Sequence, residues 1–175
     1  MSSFKNLAFA AFCLALVPAS AGAQASAAGV VQPSPEDRQL RTLYDAYAAW
    51  GAKEFGYIEN AAGETEQAGY LPRVDAASQR RRIGELQGFL QRLNSIPVTR
   101  LSAPERVNAS VVRTVLEQGI ADGRFREWEM PVNSDSNFWT YLHERGTLAN
   151  AQEYRRYIAR LRDVSRYFDE NIANM

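Results

Sequence analysis

The chain has 175 residues, with 20 basic and 20 acidic side chains and a formal net charge of zero. Nearly all the basic residues are arginines interleaved with acids, so the net basic footprint of nucleic-acid-binding proteins is missing and we predict no nucleic-acid partner. Cys13 is the only cysteine. It lies in a segment that we expect to be removed, which excludes a disulfide framework, a thiolate metal site and a thiol nucleophile in the mature chain.

The N-terminus has the pattern of a secretory signal peptide. Lys5 supplies a positive charge, Leu7–Val17 is an apolar run of 11 residues, and small residues precede a cleavage site after Ala23. Cleavage after Ala25 is the alternative, because small residues also stand in the required places there. The run is shorter than the roughly 20 residues that span a bilayer, which favours cleavage over retention as an anchor. We predict a signal peptide over 1–23, export to the periplasm or beyond the cell, and no stable membrane insertion afterwards.

Residues 24–33 are mostly small and predict a flexible lead, and the helical domain is expected over 34–175. Ser34 is a suitable N-cap, Pro35 fits a first helical turn, and acids follow at the positive end of the helix dipole. The apolar face of this first helix comprises Leu40, Leu43, Tyr44, Tyr47 and Trp50. The following stretch, Gly56 to Pro72, has no periodicity and predicts a loop, with a short helix inside it as the alternative.

Two further helices are predicted in the middle of the chain. The second runs from about Asp75 to Leu93 and is ended by Pro97. Its expected apolar face comprises Ile83, Leu86, Phe89, Leu90 and Leu93. A capping box, Ser102 with Glu105, opens the third. Its expected apolar positions are Val107, Val111, Val115, Leu116 and Ile120, and Gly119 and Gly123 are expected to loosen its end.

The C-terminal third begins with residues spaced near two, Phe125 to Val132, which predict a short extended segment. Ser134 to Asn137 offer N-caps for a short fourth helix through Leu142. The last helix is expected over Glu153 to Met175, with Asn150 as N-cap and Glu153 reaching back to the cap's backbone. The four-three apolar spacing of this helix comprises Tyr154, Ile158, Leu161, Phe168, Ile172 and Met175. We predict an all-α fold of four or five helices with one short extended segment.

His143 and Glu144 are the nearest approach to a metal-binding motif. The pair has the form of the first half of a zinc-peptidase helix motif, in which a second histidine one turn later completes the metal site. That position is Thr147, and Arg145 beside the pair would repel a cation. We therefore expect His143 to be a surface or interface histidine.

The acidic residues are also interpreted as structural. Glu127 and Glu129 flank a tryptophan, and Asp169 and Glu170 lie near the end of the last helix. Arginines spaced three or four residues from acids in the last helix, such as Arg166, favour ion pairs worth about 0.2 to 0.5 kcal/mol each. We predict no catalytic, cofactor-binding or metal-binding residue in this chain.

Three segments carry a resemblance to a known family. Trp128–Trp139, Tyr154–Leu161 and Arg166–Met175, preceded by Leu101–Arg106, resemble in order and spacing the N-terminal region of the bacterial domain-of-unknown-function family 885. The resemblance implies the first quarter to third of a secreted, largely helical protein similar to zinc-dependent peptidases. In such members a His-Glu pair followed by Gly-His is expected to bind zinc, and no residue here matches it. The Asn133–Asn137 turn either faces the family's cleft or caps a helix, and capping is favoured because Ser, Asp and Asn suit it.

Two hypotheses follow from these patterns. In the first, which is preferred, the chain is the N-terminal helical part of an exported peptidase-like hydrolase and is inactive alone, with the remainder of the same fold covering the last helix. In the second, it is a stand-alone periplasmic helical module whose last helix binds a partner protein.

Overall fold

The computed structural model describes residues 32–60, 63–132, 137, 139, 142 and 148–175. The helices in these ranges are α1 (Pro35–Glu54), α2 (Ala76–Asn94), α3 (Ala103–Arg124), α4 (Ala151–Arg162) and α5 (Val164–Asn174). Strands β1 (Tyr57–Glu59) and β2 (Thr65–Gln67) form an antiparallel hairpin, and 3-10 turns occupy Val98–Arg100 and Glu127–Glu129. This mostly helical architecture confirms the all-α prediction. The predicted signal peptide, 1–23, lies outside the described residues.

The start of α1 has the predicted capping residue and also ties two helices together. The Ser34 hydroxyl accepts a hydrogen bond from the Asp37 backbone N–H at 3.0 Å, and the Asp37 carboxylate accepts from the Ser34 N–H at 3.4 Å. Asp37 is buried, and its carboxylate accepts a second bond, at 2.9 Å, from the backbone N–H of Ser102, the N-cap of α3. The Ser102 backbone bond is the main reason that the pKa of Asp37 lies below its usual value.

The capping box predicted for α3 is wrong. Ser102 makes no side-chain capping bond, and the N–H that Glu105 was expected to cap donates to Asp37 instead. Glu105 turns inward, where its carboxylate accepts from Arg41 Nε at 2.8 Å and from the Tyr44 hydroxyl at 3.2 Å. Burial raises the pKa of Glu105, but hydrogen bonds from Asn108 and Arg41 outweigh it and lower that pKa.

The main core lies between α1, α2 and α3. Its buried members are Leu40, Leu43, Leu86, Phe89, Leu93, Ile96, Leu101, Ala109 and Leu116. Tyr47, Trp50 and Phe89 form an aromatic group at its edge, with ring centroids 5.3 to 5.7 Å apart. These contacts confirm the predicted inner faces of the first two helices.

The inner face of α3 is only partly the one predicted. Leu116 is buried and Ile120 packs against the core as predicted, but Val107 and Val111 are 63% and 57% exposed, and Ala109 is buried instead. The buried carboxylate of Glu105 faces α1, and a residue two positions further along a helix points about 200° away. The inward turn of Glu105 therefore places Val107 on the solvent side.

Gly119 and Gly123 do not loosen α3, which continues to Arg124. They allow it to approach α2 closely, because a Cβ atom at Gly119 would lie 3.0 Å from Leu86 Cδ1. A Cβ at Gly123 would lie only 2.4 Å from Ile83 Cγ1. The two glycines thus set the spacing between α2 and α3.

The loop predicted over Gly56 to Pro72 contains the hairpin of β1 and β2. Tyr57 pairs with Gln67 and Glu59 with Thr65. The turn is closed by Asn60, whose side-chain oxygen accepts from the Glu64 N–H at 2.9 Å. Strands of three residues are too short for alternation to show in the sequence.

The extended segment predicted over Phe125 to Val132 is mostly a turn. Arg126 adopts a left-handed conformation, with φ of 57°, and the 3-10 turn Glu127–Glu129 follows. Val132 does form an isolated antiparallel bridge with Asn137. The predicted fourth helix falls largely outside the described residues.

The last predicted helix is two helices. The chain bends at Asp163, which ends α4 and precedes α5. Asn150 caps α4 as predicted, accepting from the backbone N–H groups of Gln152 and Glu153. Glu153 reaches the Ala149 N–H, at 2.6 Å, rather than that of Asn150. None of the helices in the described part of the chain has both the length and the apolar character needed to cross a membrane.

We expect Gly123→Ala to lower the free energy of unfolding by about 1 to 3 kcal/mol, because the new methyl group overlaps Ile83. Gly84→Ala is the matched control, since its Cβ meets nothing within 4 Å, and it should stabilise α2 by about 0.5 to 1 kcal/mol. Urea denaturation of both variants measures the difference. Equal stabilisation by the two substitutions would show that α2 and α3 are not closely packed at Gly123.

Candidate functional site

The inner side of α5 carries several polar side chains beside the buried Tyr167. The carboxylate of Asp163 accepts from the Leu71 N–H at 2.8 Å, and that of Glu170 accepts from the Val74 N–H at 2.8 Å. Arg166 donates to the Leu71 carbonyl at 2.9 Å. Side chains of α5 thus satisfy backbone N–H and C=O groups of an irregular segment. In a sheet, pairing with a neighbouring strand satisfies such groups. We call this set of contacts the α5 clamp.

Ion pairs link the members of the clamp to each other. Arg166 contacts Asp163 at 2.5 Å and Glu170 at 2.8 Å, and Arg73 also contacts Glu170 at 2.8 Å. The hydrogen bond from Arg166 outweighs burial and lowers the pKa of Asp163, and the same bond raises the pKa of Arg166. Asp163 is therefore ionised at neutral pH, and its oxygens already accept hydrogen bonds. A general acid must instead carry a proton that it can donate.

A pocket of about 480 Å³ opens beside the clamp and the start of α2. It is lined by Asp75, Ala76, Arg166, Asp169, Glu170, Ala173 and Asn174. Asp75 is the N-cap of α2. Burial raises its pKa, but hydrogen bonds from the Ser78 hydroxyl and N–H and from Arg73 outweigh burial and bring the pKa to about 2. The carboxylate of Asp75 is thus committed to the helix end.

A second pocket, of about 330 Å³, shares Arg166 with the first and is also lined by Arg73. Glu54 at its wall contacts Arg81 at 2.8 Å and Arg82 at 2.9 Å. Its charged walls are therefore also held by ion pairs.

The described acidic residues do not fit a zinc ion. Within 32–60, 63–132, the three isolated positions and 148–175, no group of three His, Cys, Asp or Glu side chains is arranged to hold a metal. His143 and Glu144 lie outside the described residues, as does most of the Asn133–Asn137 turn.

The acidic residues weighed in the sequence have the structural roles expected of them where the structure describes their contacts. Glu129 pairs with Arg126 within the 3-10 turn, and Glu170 pairs with Arg166 and Arg73. Asp169 is exposed. The bond from Glu170 to the Val74 backbone was not predicted, because no local pattern links residues 96 positions apart.

The outward side of α4 and α5 is apolar, as the four-three spacing predicted. Tyr154, Ile158, Leu161, Ile172 and Met175 are between 45% and 66% exposed, and we call them the outer apolar face. Phe168, also predicted for this face, instead packs partly buried against the small cluster of Leu71 and Tyr167. The two helices therefore turn polar groups inward together with a few apolar ones, and leave five large apolar or aromatic side chains outward, an arrangement suited to an interface.

A family model described as "Bacterial protein of unknown function (DUF885)" matches residues 51–175. No curated protein and no solved structure is significantly similar to the chain. The match includes α2 to α5, the clamp and the outer apolar face.

We expect the free energy of unfolding to fall as the pH is lowered from about 4 to about 2. The folded-state pKa of Asp75 is depressed to about 2, so the folded chain binds fewer protons than the unfolded chain in this window. Stability from Asp75 is therefore complete above its unfolded pKa, about 3.9, and is lost as the pH falls through the folded value. Asp75→Asn should keep the helix cap and flatten the pH profile.

Asp45→Asn is the control for this measurement, since Asp45 is an exposed residue of α1. Unfolding followed by circular dichroism between pH 2 and pH 6 gives both profiles. An Asp75→Asn profile as steep as that of the unaltered chain would contradict the assignment.

Proposed function

The chain belongs to the DUF885 family of bacterial proteins of unknown function, and from this premise we propose that it forms the N-terminal helical part of an exported peptidase-like hydrolase. In this proposal the chain is a structural part of the enzyme. The zinc ligands and catalytic groups come from other sequence of full-length members. The residues here support and position that sequence.

The observation that carries this proposal is the outer apolar face. Its side chains are exposed, and none of them belongs to the main core or to the small cluster under α5. Covering an apolar surface gains about 25 cal/mol per Å² of area removed from water. A further part of the same fold packing on this face would gain that energy without disturbing α1 to α3.

The composition of the chain supports the inactive role. Its one histidine and one cysteine are His143 and Cys13, and Cys13 lies in the proposed signal peptide. Catalytic zinc sites commonly use three protein ligands, with histidine prominent among them. A single imidazole with carboxylates is a weak donor set for this purpose.

The alternative function is a stand-alone periplasmic module that binds a partner protein. The observation that favours it is the core of α1, α2 and α3, which is formed by these helices and the turns beside them. In that case the same outer apolar face contacts a separate protein rather than the remainder of the fold.

We expect the purified mature chain to retain no zinc after dialysis and to hydrolyse no peptide substrate. The zinc content is measured by atomic absorption and the turnover with a quenched fluorescent peptide library. Stoichiometric zinc that disappears in a His143→Ala variant would overturn the proposal that this chain lacks a metal site.

We also expect the mature chain to bind the separately expressed downstream part of a full-length family member. Ile158→Glu combined with Ile172→Glu should weaken this binding at least tenfold, because each substitution places a charge in the outer apolar face. Val107→Glu combined with Val111→Glu is the matched control, since these valines are exposed on α3. Calorimetric titration measures all three dissociation constants.

Equal binding by both double variants would mean that the outer apolar face is not the contact. Binding only to an unrelated periplasmic protein would favour the stand-alone module.

A further inference from the structure

The described residues form two separate apolar clusters. The larger one belongs to α1, α2, α3 and the turns beside them. The smaller one consists of buried Leu71 and Tyr167, with Val74, Leu142, Val164 and Phe168 partly buried around them. The second cluster, which includes Tyr167 of α5, has two buried members against nine in the main core.

Polar contacts therefore supply much of what holds α5 in place. The side chains that bond the segment before α2 are spaced three or four residues apart, which puts them on one side of the helix. They are Asp163, Arg166, Glu170 and Asn174. Their bonds join both ends of the segment, at Leu71 and at Val74.

The helix before α5 has its own polar attachment to the hairpin. Arg156 of α4 forms an ion pair with Glu66 of β2. Gly69, just after β2, approaches α4 so closely that a Cβ there would lie 3.3 Å from Ala159 Cβ. Both helices are thus attached to the region between α1 and α2, and α5 also contacts the 3-10 turn Glu127–Glu129 after α3.

The polar contacts of α5 resist opening less than their number suggests. Water replaces hydrogen bonds to charged groups when they open, so the net contribution of each bond to stability is much smaller than its strength in isolation. A region with few buried apolar contacts opens at a lower free energy than the core of the same protein. The main core keeps all its buried members when α4 and α5 leave.

We propose that α4 and α5 open together as one cooperative unit, with the α5 clamp as its latch, while α1, α2 and α3 remain folded. Opening uncovers the backbone of Leu71 to Val74 and the small cluster under α5. The proposal rests on the contacts of the described residues and not on the proposed function.

Native-state hydrogen exchange on the mature chain, with increasing sub-denaturing urea, tests this proposal. The backbone N–H groups of α4, α5, Leu71 and Val74 should exchange through one shared opening. That opening should precede the exchange of the amides in α2 and α3. A single global opening for all these amides would overturn the proposal, and this measurement needs no variant.

Substitutions at the latch add a second test. Asp163→Asn combined with Glu170→Gln should accelerate exchange at least tenfold throughout α4 and α5, and leave α2 and α3 unchanged. Asp169→Asn is the matched control, because Asp169 is exposed on the same helix. Glu170→Gln alone replaces the double variant if the latter does not fold. Acceleration confined to Leu71 and Val74 would show local fraying and would overturn the cooperative unit.

Discussion

The architecture depends on carboxylates that accept hydrogen bonds from distant backbone N–H groups. Asp37 at the start of α1 accepts from Ser102 at the start of α3, 65 residues away. Asp163 and Glu170 do the same for Leu71 and Val74. A buried N–H without an acceptor costs free energy comparable to a lost hydrogen bond, and a charged acceptor makes a stronger bond than a neutral one. These carboxylates therefore fix where separate elements meet.

The clamp explains the unusual orientation of α4 and α5. A surface helix normally buries its apolar side and exposes its polar side. Here Asp163, Arg166 and Glu170 occupy the inner side because the segment from Leu71 to Val74 presents backbone groups there. All the four-three apolar side chains except Phe168 are left on the outside. The orientation follows from which groups need hydrogen-bond partners, and it makes the outer apolar face a property of the fold.

The sequence predicted those features that local chemistry decides. Helix starts at Ser34, Asp75 and Asn150 were correct because a cap bonds residues two or three positions away. The predicted apolar faces of the first two helices were correct because both helices bury their apolar side and expose their polar side. The outer apolar face was also recognised, since its periodicity lies within about 20 residues of sequence.

The predictions failed where a contact between residues far apart in the sequence determines the local structure. Glu105 was assigned to a local cap, but Arg41 and Tyr44, more than 60 residues earlier, draw it inward and rotate α3. The bend at Asp163 was missed because its carboxylate bonds Leu71, which no short pattern shows. For the candidate site, the sequence indicated the ion pairing of Glu170 but not the clamp, and the assignment of His143 falls outside the described residues.

The same directional bonds bear on how an interface on α4 and α5 would behave. Apolar packing tolerates rotation of a helix by small amounts, whereas hydrogen bonds weaken steeply when their angles depart from linear. The contacts at Leu71 and Val74 fix α5 at two points along its axis, so the helix cannot rotate without losing one of them. The outer apolar face is consequently presented at a defined angle while the clamp is closed. A partner surface that packs against it gains affinity from this order, since little side-chain and backbone freedom remains to be lost on binding.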